Sequence, residues 1–200
     1  MKKILALFAL LALLAGCSAE AAPAMYIEPA KLNEEEEAVA KLLGADTDQH
    51  LFDVVLDGTA KTVSVNIYEL VDGAWEPRSS GGGMALTDLT ESVKQGRMAF
   101  GFQDLRGECR QALSFGKDLS VVKYGPQTEE DFTLGRGTSF LSERTEIFYG
   151  QEIPLAVQIH TSGGMVSYST EYFFQPEAYE EQNYEHVYAL TVMFSQEPLS

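Results

Sequence analysis

Apolar and polar residues alternate along most of this chain, and that period of two predicts β-strands with one buried face. The clearest stretch is residues 62–67, TVSVNI, and the same alternation recurs in residues 98–102 and 109–115. The longest run, residues 184–194, predicts that the following side chains share one face: His186, Tyr188, Leu190, Val192 and Phe194.

Turn residues separate these runs. Asp57-Gly58 lies between the apolar run 51–56 and the strand at 62–67 and predicts a hairpin. Residues 153–159 and the aromatic-rich run 165–174 predict further strands. The whole pattern predicts a mainly β fold, a single antiparallel β-sandwich or partly open barrel of about nine to ten short strands.

One helix is predicted ahead of the strands, over residues 31–44. Asn33 is a suitable N-cap, and the four glutamates at 34–37 suit the positive end of the helix dipole. Gly44 is a suitable residue to follow the helix. The glutamate run is therefore interpreted as a solvated first turn rather than a metal site.

The N-terminus has the organisation of an export signal. Lys2 and Lys3 precede the apolar run 4–15, which is shorter than the roughly 20 residues that a membrane-spanning helix needs. Leu14-Ala15-Gly16-Cys17 resembles the lipobox of bacterial lipoprotein precursors. The resemblance implies cleavage before Cys17 and attachment of diacylglycerol to its thiol. A secretory signal with a chance cysteine is the alternative.

Three segments follow from this interpretation. We expect a signal peptide at 1–16, a lipidated tether at 17–30 and one mostly-β domain at 31–200. Two other domain boundaries are less favoured, at the glycine-rich stretch 79–83 and the polar stretch 127–131. A division at either one would leave segments too small to form independent hydrophobic cores.

Charge narrows the range of partners. The formal net charge is −16, and loss of Lys2 and Lys3 with the signal makes it −18. An acidic chain argues against nucleic acid, which needs clustered Lys and Arg, and against a second contact with anionic lipid. With Cys17 carrying lipid, Cys109 has no cysteine to pair with, and its strand pattern predicts a buried, inert thiol.

Catalytic and metal patterns are weak. No HxH or HExxH pair is formed by the three histidines, His50, His160 and His186, which argues against zinc. Asp46 and Asp48 lie in a loop, but the spacing of an EF-hand is absent. We therefore predict no metal and keep calcium as an open alternative. Ser120 begins a literal SxxK match in a valine-rich, strand-like run, whereas acylating serines begin a helix. We predict no catalytic residue and no cofactor.

Aromatic residues crowd the C-terminal third. Tyr179 and Tyr184 lie in a strongly polar context, and Tyr172 and Trp75 could join them on a surface. Such rings offer large apolar contact with a polar handle, as sugar- and peptide-binding surfaces do. These four residues are the candidate binding surface, and ordinary core packing is the alternative.

The resulting hypothesis is a lipoprotein anchored in the cell membrane or outer membrane, facing away from the cytoplasm. Its domain is expected to bind a sugar, a peptide or an envelope protein without catalysis. Two rivals stay open, an envelope hydrolase with a site assembled from distant strands and an accessory subunit of an envelope complex. A deep cleft with a perturbed acid or base would favour the hydrolase.

Overall fold

Strands are the main element of the part of this protein that the structure describes. A computed structural model describes residues 25–42, 49–86, 95–124, 133–166 and 168–198. Its strands are β1 (Tyr26–Pro29), β2 (Gln49–Val55), β3 (Thr62–Val71), β4 (Ala74–Ala85), β5 (Gln95–Phe102), β6 (Cys109–Phe115), β7 (Asp118–Tyr124), β8 (Gly135–Phe140), β9 (Thr145–Glu146), β10 (Glu152–Thr161) and β11 (His186–Ser195). Its helices are α1 (Glu34–Leu42), a 3₁₀ helix (Thr170–Phe174) and α2 (Glu177–Glu180).

The strands form two antiparallel sheets. Sheet A has the order β7-β6-β5-β2-β1-β9, and sheet B has the order β4-β3-β11-β10-β8. Side chains from both inner faces form one continuous core, in which Ile27, Phe100 and Phe194 are at most 1% exposed. The prediction of a mainly β, antiparallel sandwich is confirmed. The sheets are not closed into a barrel, and the eleven described strands slightly exceed the expected number.

Helix α1 begins as the sequence indicates. The Asn33 side chain accepts hydrogen bonds from the backbone N–H groups of Glu35 and Glu36, at 3.0 and 2.9 Å. In return, the Glu36 carboxylate accepts the Asn33 N–H at 2.9 Å, which completes a capping box. No helix in the described ranges is long and apolar enough to cross a membrane.

Two local predictions are wrong. Asp57-Gly58 does not close a hairpin, because β2 pairs with β1 and β5 in sheet A whereas β3 belongs to sheet B. The turn therefore carries the chain from one sheet to the other. The described residues of the run 165–174 contain no strand, and the run ends in the 3₁₀ helix.

The globular fold begins earlier than expected. Residues 26–29, placed in the tether on sequence grounds, form β1, which lies inside sheet A between β2 and β9. The stretch 79–83 lies within β4 and does not divide the protein, and residues 127–131 lie outside the described ranges. Tyr26 marks one end of the sandwich, called here the β1 end, where β5 begins at Gln95. The opposite, far end is where β10 finishes and β11 starts.

Candidate functional site

Cys17 and the rest of the lipobox lie outside the described residues, so lipidation at Cys17 stays a prediction. Asp46 and Asp48 lie outside them as well. Cys109 is 1% exposed on the inner face of β6, and burial raises the pKa of its thiol to about 12. A thiol in that state is neutral and unreactive, as the strand pattern predicts.

The structure brings the four predicted aromatic residues together, but not as an open surface. Trp75, Tyr172, Tyr179 and Tyr184 belong to a second apolar cluster on the outer face of sheet B. Residues 168–184 cover that face, and we call this segment the aromatic cover. The indole ring of Trp75 stacks on Phe173 at 4.9 Å, and its N–H donates to the Phe173 carbonyl at 2.7 Å.

The burial of Tyr179 differs from what the sequence predicted. We expected an exposed ring in a polar loop, but Tyr179 is only 1% exposed. The short helix α2 turns it inward, where it packs edge-on against Trp75 and Tyr168 at 6.2 and 5.1 Å. Tyr172 and Tyr184 stay half-buried. Phe174, which the sequence did not single out, is 64% exposed.

Ionisable and other polar side chains gather between the sheets at the far end, where the sequence predicted only a buried strand face. We call this the polar end cluster, and its members are Glu69, Asp104, Arg106, Gln158, His160, His186 and Tyr188. Two of its members, His160 and His186, are direct cross-strand neighbours on β10 and β11.

Glu69 organises one half of the cluster. Its carboxylate accepts hydrogen bonds from Tyr188 Oη at 2.8 Å and His186 Nδ1 at 2.9 Å, and a third from Arg78. Burial raises the pKa of Glu69, but these three donors outweigh burial, and the net shift is downward. Glu69 is therefore an ionised, well-satisfied acceptor at neutral pH.

Asp104 organises the other half. Arg106 donates to it from its guanidinium at 2.9 Å and from its backbone N–H at 2.8 Å. Burial alone raises the pKa of Asp104, and these bonds reverse that effect. His160, 1% exposed, lies with its Nε2 3.6 Å from the carboxylate and 3.1 Å from Gln158 Oε1. Burial lowers the pKa of His160 to about 4, so this ring is neutral at pH 7.

Only one imidazole of the cluster meets solvent. The His186 side chain is 39% exposed, whereas His160 is enclosed. His186 held by Glu69 has the base–orienter geometry of a general base. Among the described residues, no group of three or more His, Cys, Asp or Glu side chains is arranged to hold a metal ion.

A groove of about 430 Å³ lies on the outer face of sheet A, towards the β1 end. We call it the outer groove, and its outward side chains come from four adjacent strands: Tyr26, Glu28, Asp53, Gln95, Arg97 and Ser114. Arg97 donates to both Asp53 oxygens at 2.7 and 3.2 Å and to Glu36 of α1 at 3.1 Å. The bond to Asp53 raises the pKa of Arg97.

A second ion pair forms the rim of the outer groove. Arg144 donates to both oxygens of Glu28 at 3.0 Å, and its guanidinium lies 3.8 Å from the centre of the Tyr26 ring. These bonds lower the pKa of Glu28. The charged side chains around the groove are thus all held in ion pairs and fixed in orientation.

Sequence reasoning missed both the polar end cluster and the outer groove. One signal existed: Tyr26-Ile27-Glu28 alternates, which is typical of a strand, although its proline neighbours favoured a spacer. Comparison with protein-family models, curated proteins and solved structures finds no match to this chain.

Proposed function

We propose that this protein is a lipid-anchored extracytoplasmic lipoprotein whose β-sandwich is a binding module rather than an enzyme. The lipobox supports the anchor. The observation that carries the binding role is the outer groove, which is open, polar and pre-organised by paired charges. In such a site the ion pairs hold each other in place and are not poised to transfer protons.

The polar end cluster supports the same conclusion. Its perturbed base, His160, is enclosed, and its two carboxylates already accept several hydrogen bonds each. The buried part of this network stabilises a unique packing arrangement, and neither His160 nor the two carboxylates is open to a substrate.

One observation favours hydrolysis as a second candidate. The exposed imidazole of His186, oriented by Glu69, has the geometry of a general base that activates water. That role requires measurable hydrolysis of an envelope ester or glycoside that His186→Gln abolishes. Equal hydrolysis by both proteins, or none by either, rejects it.

The anchor is tested by metabolic labelling with palmitate in bacteria. We expect label on the wild-type chain and none on Cys17→Ser, because acylation needs that thiol. Label on the serine variant would refute the lipoprotein assignment.

The binding role is tested by melting the lipidated protein in detergent against sugars, peptides and divalent ions. A ligand at 100 times its Kd adds about 2.7 kcal/mol, which raises Tm by roughly 5–10 °C.

A further inference from the structure

The outer groove has a lining that selects among ligand classes. It lies on the face of sheet A, where the backbone groups of β1, β2, β5 and β6 are committed to neighbouring strands. A peptide that binds by strand addition needs a free sheet edge, and this face offers none. The polar side chains that surround it also make it unsuitable for an acyl chain.

Charge pairing makes the outer groove unsuitable for a strongly charged ligand. Each arginine at the groove already holds a carboxylate with two hydrogen bonds, and each of those carboxylates is held in turn. An anion at the paired N–H groups would have to displace Asp53 or Glu28, and at the other N–H groups of Arg97 it would be repelled by Asp53 and Glu36. A cation would have to displace Arg97 or Arg144. Either exchange breaks a bidentate ion pair.

Beside these ion pairs lie hydrogen-bonding groups that no described side chain uses. The Gln95 amide, the Ser114 hydroxyl and the Tyr26 hydroxyl make no side-chain hydrogen bond to another described residue. Arg97 uses three of its five N–H groups and keeps two. The groove therefore offers donors and acceptors side by side on a rigid sheet, and a hydroxyl group, which both donates and accepts, matches that arrangement.

We infer that the outer groove binds a neutral carbohydrate, with the ring hydroxyls bonded to Gln95, Ser114 and the free N–H groups of Arg97. The inference rests on the proposed binding role and names its ligand class. The groove volume of about 430 Å³ lies within the range of about 300–1,000 Å³ typical of small-ligand sites. Because Tyr26 begins β1, the sugar is bound at the end of the sandwich nearest the predicted lipid.

The experiment uses the full lipidated protein in a detergent without a sugar headgroup. Neutral disaccharides (maltose, cellobiose and N,N′-diacetylchitobiose) are compared with glucuronic acid and a short peptide by saturation-transfer NMR and calorimetry. We expect one neutral sugar to bind, with an affinity that changes by no more than about twofold between about 0.05 and 0.5 M salt, because no net charge is neutralised.

Paired variants locate the site. Gln95→Ala with Ser114→Ala removes two hydrogen bonds to the sugar and should weaken its binding by about tenfold or more. Gln182→Ala with Ser169→Ala removes the same residue types from exposed positions on the aromatic cover and should leave binding within about twofold of wild type. Melting curves of both variants check that each is folded.

The outcomes separate this inference from the proposed function. Sugar binding that survives Gln95→Ala with Ser114→Ala overturns the groove assignment and leaves a binding module. Binding of the peptide or of glucuronic acid alone overturns the ligand class. No binding of any probe overturns the inference and counts against the binding role as well. Vesicles with and without a neutral glycolipid distinguish a lipid headgroup from a free glycan as the source of the sugar.

Discussion

Two glutamines on the inner faces of the sheets are both fully buried, and they differ in their partners. Gln158 Oε1 accepts the Leu105 N–H at 2.8 Å, and its Nε2 donates to the Gln103 carbonyl and to Thr138. Gln111 has no hydrogen bond at either amide atom. At the residue scale, the same side chain stabilises one site and costs free energy at the other.

Substitution by leucine should separate these two effects. Gln158→Leu leaves the buried Leu105 N–H without an acceptor and should lower the free energy of unfolding by about 2 kcal/mol or more. Gln111→Leu removes two unsatisfied atoms and should raise it by up to about 1 kcal/mol. Urea unfolding followed by far-UV circular dichroism measures both values. A clear loss of stability in Gln111→Leu would contradict this account.

Residues that the sequence placed correctly are those whose position depends on local alternation. Met98, Phe100 and Leu113 face the core as predicted, because neighbouring residues of a strand point to opposite sides. Glu69 could not be placed in this way. Its burial depends on His186 and Tyr188, more than a hundred residues later in the chain. Nothing in the alternation around it indicates that those partners exist.

At the scale of an element, the aromatic cover is held to sheet B by a small number of rings. Phe173 is 8% exposed and stacks on Trp75, whereas its chain neighbour Phe174 is 64% exposed. Trp75 is the single tryptophan of the protein, so its fluorescence reports on the packing of this segment alone.

Alanine substitution at these neighbours should give opposite results. Phe173→Ala opens a cavity beside the indole, which should shift Trp75 emission to longer wavelength and cost about 3 kcal/mol in the stability of the cover. Phe174→Ala removes a solvated ring and should change stability by no more than about 0.5 kcal/mol. Unchanged Trp75 emission in Phe173→Ala would show that the stack does not form in solution.

The same segment explains one failure of sequence reasoning. Residues 165–174 are rich in aromatic and β-branched types, which favour strands. Every central position of sheet B is already occupied, however, and the rings instead lie across its outer face. The type of element there depends on which surfaces the rest of the chain has already filled.

The outer groove could not be predicted from the sequence for a related reason. Its residues come from four strands that only the sheet order brings together.

At the scale of the whole molecule, β1 extends the folded chain to before the domain boundary expected from the sequence. Ile27 is fully buried, and β1 lies between β2 and the short edge strand β9 of sheet A. A chain that starts at residue 31, the domain boundary expected from the sequence, lacks this strand.

Truncation tests the boundary directly. A chain from residue 25 should melt cooperatively, and a chain from residue 31 should melt at least about 10 °C lower, or without a cooperative transition, because each kcal/mol lost lowers Tm by about 2–4 °C in a domain of this size. Circular dichroism melting of the two chains makes the comparison. Equal melting temperatures would show that β1 is dispensable.

The internal position of β1 also has a mechanical consequence. If lipid holds the chain at Cys17, a force between membrane and protein would reach the described part of the fold at its first strand, β1. Because β1 has neighbours on both sides, a force directed along the strand would load those hydrogen bonds together instead of breaking them one at a time. Fully extended, the residues that separate Cys17 from Tyr26 in the sequence would span at most about 30 Å. A pull along β1 would therefore be opposed by backbone hydrogen bonds on both of its edges, four residues of pairing with β2 and two with β9.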